Sequence, residues 1–194
     1  MSTATQRLVG SSDQCVRQPD DFYETPAIAT EELLKREKFL DPIWEPAVGA
    51  GAISKILSKH SYFVVGSDIR TDNNIYGDYP GRDFLKSSYP GATCSPKSII
   101  TNPPFKLALP FILKALNEPG VEKVAIFGRI QLLEGKERYE KIWTKYPPVR
   151  IYVFSKRVTC SEEKVSIMCF CWIVWEKGFT GHPELYWILP TTTL

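Results

Sequence analysis

The sequence has no long hydrophobic run, few histidines and no regular cysteine pattern. Its longest apolar stretch, residues 167–175, is far shorter than the roughly 20 residues that a membrane-spanning helix needs. The two histidines and five scattered cysteines lack the spacing of a zinc site, and an odd cysteine count is poor support for a disulfide framework. We therefore expect no membrane span, no bound metal and no disulfide scaffold.

An apolar signal sequence is also missing. Residues 1–20 are polar and without hydrophobic periodicity, which predicts a flexible arm in front of a single domain over 21–194. The net charge of +2 neither requires nor excludes a nucleic-acid partner, since a basic patch can exist on a nearly neutral chain. A cytoplasmic location is the expectation that follows.

Short apolar runs alternate with amphipathic segments from residue 22 onward. We predict helices over 25–40 with Thr25 as the cap, after Gly51, over 109–116 and over 136–145. Predicted strands are 43–45, 62–67, 98–101, 124–127, 151–154 and 165–175. The nearly continuous apolar strands indicate an α/β fold with a mostly parallel sheet, helices on both faces and a closing antiparallel hairpin. In such sheets, ligands bind outside the carboxyl ends of the strands.

A glycine-containing loop, Glu45-Pro46-Ala47-Val48-Gly49-Ala50-Gly51, follows the first predicted strand. Glycines allow a tight turn, and the next helix offers free backbone N–H groups to an anionic or polar ligand. The loop lacks the third glycine and the lysine of phosphate-binding loops, which argues against a nucleoside triphosphate. An ordinary strand–helix turn is the alternative.

Two carboxylates follow this loop in the sequence. Asp68 ends the second predicted strand, about 20 positions after the glycines, where it could accept hydrogen bonds from ribose hydroxyls. Asp83 could accept one from an exocyclic amine, with the adjacent Phe84 flanking a purine. A solvated loop carboxylate and a surface turn around Gly81 are the respective alternatives.

The most specific motif is Asn102-Pro103-Pro104-Phe105, at the end of the third predicted strand. Two prolines fix the backbone and remove two N–H donors, which leaves the Pro103 carbonyl as an acceptor. The Asn102 side-chain oxygen is a second acceptor, and Phe105 offers a flat apolar face. The motif therefore predicts a site that binds a planar –NH₂ group beside a stacked ring.

Together these motifs resemble those of S-adenosylmethionine-dependent amino-methyltransferases, in particular the N6-adenine DNA methyltransferases. The segment 22–26, Phe-Tyr-Glu-Thr-Pro, is similar to a cofactor motif of members in which it precedes the catalytic motif. The short chain and its ending at 172–177 are similar to compact phage and prophage enzymes. The resemblance covers about residues 22–178. It implies a Rossmann-like methyltransferase fold with seven strands, and host-cell cytoplasm if the chain is phage-encoded.

The resemblance also implies roles for individual residues. Asn102 and Pro103 would bind the target adenine amino group, with Pro104 completing the corner and Phe105 stacking on the ring. S-adenosylmethionine is the implied cofactor: its methionine end would lie at the glycine loop and the Thr-Pro segment, its ribose at Asp68 and its adenine at the remaining positions. The implied cofactor residues are Thr25, Pro26, Glu45, Pro46, Gly49, Gly51, Asp68, Ile69, Asp83 and Phe84.

DNA is the implied partner, with the target base flipped out or single-stranded. Lys106, Arg129 and Arg157 are the candidate substrate-binding residues, within a wider set of rim cations that adds Lys136, Arg138, Arg150 and Lys156. Solvated surface charges are the alternative. Cys160 stands where relatives often carry a base-stacking aromatic, so Tyr152, Phe154 and Phe179 are considered as substitutes.

Other functions remain open at this point. The chain offers no room for a separate target-recognition domain, which predicts relaxed sequence preference, a homo-oligomer or a partner subunit for recognition. The same motif could take a protein glutamine amide or an RNA base. A catalytically inactive partner of an active methyltransferase is the third alternative.

Overall fold

A computed structural model of the protein describes residues 24–91, 94–158 and 168–190. Seven strands lie in this part of the chain: β1 Ile43–Glu45, β2 Val64–Gly66, β3 Ser98–Thr101, β4 Lys123–Arg129, β5 Arg150–Phe154, β6 Phe170–Glu176 and β7 Glu184–Ile188. The helices are α1 Ala27–Leu34, α2 Ala52–Lys59, α3 Ala108–Leu116 and α4 Lys136–Arg138. A π-helical turn, Tyr139–Trp143, continues α4, and 3₁₀ turns cover Phe105–Leu107 and Ile130–Leu133.

The strands form one sheet in the order β2-β1-β3-β4-β6-β5-β7. Only β6 runs antiparallel to its neighbours, pairing with both β4 and β5. The mostly parallel sheet with an antiparallel carboxyl-terminal hairpin is therefore confirmed. The chain leaves β1 for β2 on one side and returns to β3 on the other. This reversal of strand order opens a crevice between β1 and β3, at their carboxyl ends.

Helices cover both faces of the sheet, as predicted. In the first core layer, α1 and α2 pack through Leu33 and Leu57 against Phe127 and Trp172 of the sheet. In the second core layer, α3 packs through residues such as Ile112 against the opposite face of the sheet. With both faces buried, the central strands have the continuous apolar character that the sequence shows.

The first helix is shorter than predicted: it ends at Leu34, whereas the prediction placed its end at residue 40. The amide of Glu37 bonds back to the Leu33 carbonyl, and the Glu37 carboxylate then turns to accept from Arg150 and Tyr152. The expected Thr25 cap is also wrong. Pro26 occupies the cap position, and no side chain caps α1.

Other differences lie in strand number and length. The seventh strand, β7, is not among the six strands predicted individually, and it pairs with β5 at the sheet edge. The strand predicted over 62–67 spans only Val64–Gly66. Of the strand predicted over 165–175, residues 165–167 lie outside the described residues, and β6 begins at Phe170. The predicted arm over 1–20 also lies outside them.

Candidate functional site

The carboxyl edge of the sheet gathers most of the predicted site residues. Glu45 ends β1, Asp68 follows β2 and Asn102 follows β3. Arg129 ends β4, and Arg157 lies three positions beyond the end of β5. Since β1 to β5 are parallel to one another, these residues all lie at the carboxyl edge of the sheet. The glycine loop and the Asn-Pro-Pro-Phe motif therefore flank the crevice between β1 and β3.

The Asn102 side chain is tied to a residue far away in sequence. Its Nδ2 donates a hydrogen bond to the Thr25 hydroxyl at 3.0 Å, across 77 positions. Thr25 is buried, whereas Asn102 is partly exposed. The Thr-Pro segment in front of α1 thus contacts the Asn-Pro-Pro-Phe motif directly. This contact was not predicted, since Thr25 was expected to cap α1 and to bind the cofactor.

Phe105 lies under a guanidinium group. The Arg129 guanidinium carbon is 3.7 Å from the Phe105 ring centroid, and the Phe170 ring lies 6.4 Å away at an angle of 37°. Such a cation–π contact is favourable because the ring face is electronegative. One face of the ring that we expected to stack on a base is therefore covered by Arg129.

A cavity of about 150 Å³ opens beside this stacked pair. Pro103 and Phe105 form one side, while Arg129, Gln131 and Arg138 supply polar groups. Apolar walls with a few convergent polar groups are typical of small-molecule sites. The remaining lining residues are Ala108, Phe127, Gly128 and Leu132.

The glycine loop is held in a conformation that favours glycine. Gly51 has φ of 83°, in the left-handed region, and starts α2. A Cβ on Gly51 would lie 2.4 Å from ring atoms of Tyr76, so the ring occupies the space of a side chain. The Tyr76 amide also donates to the Gly49 carbonyl at 2.8 Å. Tyr76 therefore covers the loop, a role that the sequence pattern did not indicate.

Asp68 joins the glycine loop to the end of β2. Its Oδ2 accepts from the Gly49 amide at 2.8 Å, and its Oδ1 accepts from the Arg70 amide at 2.9 Å. Each carboxylate oxygen can accept more than one hydrogen bond. Asp68 thus fixes the loop and keeps acceptor capacity for a ligand hydroxyl.

Glu45 is fully buried at the end of β1, with Ser54 of α2 donating a hydrogen bond to its Oε2. Burial raises the pKa of Glu45 to about 8, and the nearby Asp68 charge adds to the effect, although bonds from Ser54 oppose it. A desolvated carboxylate of this kind favours either a proton or a cationic partner. Glu45 is therefore suited to bind an ammonium group.

The remaining predicted cofactor residues lie in different surroundings. Ile69 is exposed beside Asp68, whereas Phe84 is buried in the second core layer, where its ring contacts Trp44 and Phe111 at 4.9 Å. Asp83 accepts from the Leu85 amide at 3.0 Å and pairs with Lys86 at 3.1 Å. Their cofactor roles stay predictions, as does the role of the buried Pro46.

Two expectations about the rim are wrong. Arg150 starts β5, at the opposite edge of the sheet, where it binds Glu37 and Glu176. Tyr152 and Phe154 are buried in the first core layer, so neither can form a second stacking wall for a base. Cys160 lies outside the described residues. Lys106 and Arg157 are exposed, and their substrate-binding roles stay predictions.

None of the helices in the described ranges is long and apolar enough to cross a membrane. Within the same ranges, no group of three or more His, Cys, Asp or Glu side chains is arranged to hold a metal ion.

Comparisons with known proteins point to one fold. No protein-family model matches the chain, and no curated protein matches it. A type I restriction-modification methyltransferase subunit from Streptococcus thermophilus superposes with a TM-score of 0.60 at 13% identity, covering 86% of this chain and 47% of that one. A chain from Vibrio vulnificus YJ016, provisionally described as a modification subunit of a type I restriction enzyme, gives 0.59 at 13% identity, covering 94% and 49%.

A chain from Pyrococcus horikoshii, provisionally described as an RNA methyltransferase, gives a TM-score of 0.59 at 17% identity, covering 81% of this chain and 87% of that one. The protein therefore has the Rossmann-like fold of S-adenosylmethionine-dependent methyltransferases. It spans about half the length of the type I modification subunits that it matches.

Proposed function

We propose that the protein is an S-adenosylmethionine-dependent methyltransferase that methylates the N6 amino group of adenine in DNA. The observation that carries the proposal is the position of Asn102-Pro103-Pro104-Phe105 at the end of β3, across the crevice from the glycine loop that follows β1. An acceptor pair for an amino group thus lies beside a site suited to a cationic cofactor. The fold shared with methyltransferases supports the same activity.

The residues around the glycine loop fit this cofactor. Glu45 would pair with the methionine ammonium group, because its buried carboxylate has no cationic partner among the described residues. Asp68 would accept from the ribose hydroxyls, with Ile69 and Asp83 toward the adenine, and Thr25 and Pro26 toward the methionine carboxylate. When bound, S-adenosylmethionine would supply a methyl group activated by its positive sulfur.

The Asn-Pro-Pro-Phe motif would activate the target nitrogen by geometry. The lone pair of an adenine amino group is delocalised into the ring, so this nitrogen is a poor nucleophile. Asn102 Oδ1 and the Pro103 carbonyl would accept its two hydrogens, which favours a tetrahedral nitrogen with a localised lone pair. Orientation and hydrogen bonding of this kind can supply most of the rate enhancement.

The target base would approach through the cavity beside Phe105. Because Arg129 covers the ring, the base either displaces the guanidinium or stacks on it; guanidinium groups also stack on nucleobases. Lys106 and Arg157 at the same edge would bind backbone phosphates. A base paired inside a duplex cannot enter such a site, so the substrate would be flipped out or single-stranded.

An RNA base is the second candidate substrate, since the Pyrococcus horikoshii chain is described as an RNA methyltransferase. Similarity to subunits of restriction-modification systems instead favours DNA, and it is consistent with a partner subunit that supplies target recognition. A protein glutamine amide and an inactive partner subunit remain further alternatives for the same motif.

The decisive experiment incubates the purified protein with labelled S-adenosylmethionine and separate DNA, RNA and protein pools. N6-methyladenine in the DNA pool, identified by mass spectrometry, is the expected product. Label in RNA or protein would reassign the substrate and keep the chemistry. Cofactor binding without label in any pool would support an inactive subunit, and an absence of cofactor binding would overturn the proposal.

A further inference from the structure

The contact between Thr25 and Asn102 joins the proposed cofactor site to the proposed catalytic motif. Among the described residues, Asn102 is the hydrogen-bond partner of the Thr25 hydroxyl, whose oxygen accepts from Asn102 Nδ2 at 3.0 Å. The Thr25 hydroxyl group can therefore still donate its own hydrogen to another acceptor. Thr25 is buried at 4% exposure, where an uncommitted polar hydrogen is unfavourable.

The direction of this hydrogen bond decides what Asn102 presents to a substrate. An amide that rotates by 180° exchanges its oxygen for its nitrogen with little change in shape. In one orientation Asn102 offers an acceptor to an amino group, and in the other it offers N–H donors that repel it. A hydroxyl alone does not choose between them, since it can accept or donate. The choice is made once its hydrogen is committed to a different acceptor.

We propose that Thr25 donates a hydrogen bond from its hydroxyl to the carboxylate of a bound cofactor, so that its oxygen can only accept from Asn102 and the Asn102 oxygen is held toward the target amino group. Thr25 is thus a positioning residue that makes the catalytic motif competent when the cofactor is present. The inference rests on the proposed function, because the acceptor is the methionine carboxylate of S-adenosylmethionine. Hydrogen bonds in such a chain also strengthen one another.

The first test uses the wild-type protein and NMR of the Asn102 side-chain amide, assigned by its loss in Asn102→Ala. S-adenosylhomocysteine should shift this signal and slow its hydrogen exchange. 5′-Methylthioadenosine, which lacks the amino-acid end, should bind without slowing that exchange. Equal slowing by both ligands, or none with S-adenosylhomocysteine bound, would overturn the inference.

The second test uses kinetics. Thr25→Val removes the hydroxyl at nearly constant volume, and we expect kcat at saturating cofactor to fall about tenfold, the effect of about one hydrogen bond. Thr25→Ser should restore kcat to within about twofold. If Thr25 only bound the cofactor, Thr25→Val would raise the KM for the cofactor and leave kcat unchanged. An unchanged kcat in Thr25→Val would therefore contradict the inference.

Thr30→Val is the matched control. Thr30 is a buried threonine of α1, and its hydroxyl oxygen has no hydrogen-bond partner in the described part of the chain. This variant should keep the wild-type kcat and the wild-type Asn102 signal; a loss equal to that of Thr25→Val would assign the effect to packing. Failure of every variant and the wild type to bind S-adenosylhomocysteine would instead overturn the proposed function.

Discussion

At the amino-terminal edge of the sheet, the buried Glu37 accepts hydrogen bonds from Arg150 and Tyr152 and lies 2.6 Å from Lys123 Nζ. At the carboxyl edge, the equally buried Glu45 is bonded to Ser54 and to no cation among the described residues. Burial alone would raise the pKa of both. For Glu37, bonds from Arg150, Lys123 and Tyr152 reverse the effect and hold the pKa below its usual value.

The two edges of the sheet differ in whether their buried carboxyl group is paired with cations of the protein. Glu176 joins the first edge by pairing with Arg150 and Lys123, so the opposite charges there have partners within the protein. The second edge keeps a buried carboxyl group that has no cationic partner among the described residues, which agrees with the ammonium-binding role proposed for it. A buried carboxylate that is paired within the fold is unavailable to a ligand, whereas one without a cation is a candidate for binding.

Asn102→Ala should give the largest change in activity, and it would sharpen the contrast between the two edges of the sheet. Removing one of the two proposed acceptors should lower kcat by about a thousandfold, a typical loss for a transition-state hydrogen-bond group. Cofactor affinity and melting temperature should change little, since Asn102 lies at the partly exposed edge. Methyl-transfer kinetics with calorimetric titration check this, and a kcat near wild type on the preferred substrate would contradict the mechanism.

Glu37→Ala should affect stability and leave the chemistry intact. It removes the buried carboxylate that Arg150 and Lys123 share and leaves them the exposed Glu176. Breaking a buried pair costs about 3 kcal/mol in the free energy of unfolding. The control is Glu122→Ala, whose exposed pair with Lys97 should contribute less than about 1 kcal/mol. Urea unfolding measures both, and equal losses would remove the contrast between the two kinds of pair.

Glu45→Gln should change the pH dependence of stability. The pKa of Glu45 is about 8 in the folded chain and near 4.5 when unfolded. Between these values the folded state holds a proton that the unfolded state has released, so this group lowers stability as pH rises. The free energy of unfolding should fall by up to about 1.4 kcal/mol per pH unit, and the fall should stop near pH 8.

Subtracting the unfolding free energy of Glu45→Gln from that of the wild type isolates this contribution from other carboxyl groups. We expect the difference to fall steadily between pH 5 and pH 8, within the window set by the two pKa values. Urea denaturation without cofactor is the measurement. A difference that is flat over this window would mean that Glu45 is already ionised and paired.

Asp68→Ala should give the smallest of the four effects. It removes acceptors from the Gly49 and Arg70 amides, and with them the proposed ribose contact. We expect the cofactor Kd to rise about tenfold, equivalent to about one lost hydrogen bond to a charged group. At saturating cofactor, kcat should change less than in Asn102→Ala; the reverse order would exchange the proposed roles of the two residues.

The elements that sequence patterns predicted well are those whose signal is local. The apolar strand β1 runs directly into the glycine loop, and β3 runs into two prolines, so both boundaries are visible in a few residues. The carboxyl-end rule for parallel sheets then brings Glu45, Asp68 and Asn102 to one edge. The residue types at that edge are the basis of the chemistry proposed for it.

What escaped prediction depends on distant contacts. Helix α1 ends at Leu34, and Glu37 shortly after it bonds to Arg150, more than a hundred positions away. Tyr76 packs on Gly51 through a loop that has no periodic pattern. Strand β7 is exposed along most of its length, so it lacks the alternation of buried and exposed residues that predicts a strand.

The 77-position span between Thr25 and Asn102 bears on when the proposed site can form during synthesis. A nascent polypeptide on the ribosome carries the Asn-Pro-Pro-Phe sequence well before the strands after β3 are translated. Closing so long a loop costs entropy that only the finished tertiary structure repays. Truncated or partly folded copies would therefore hold the complete motif without the contact between Thr25 and Asn102, and we expect them to lack the proposed activity.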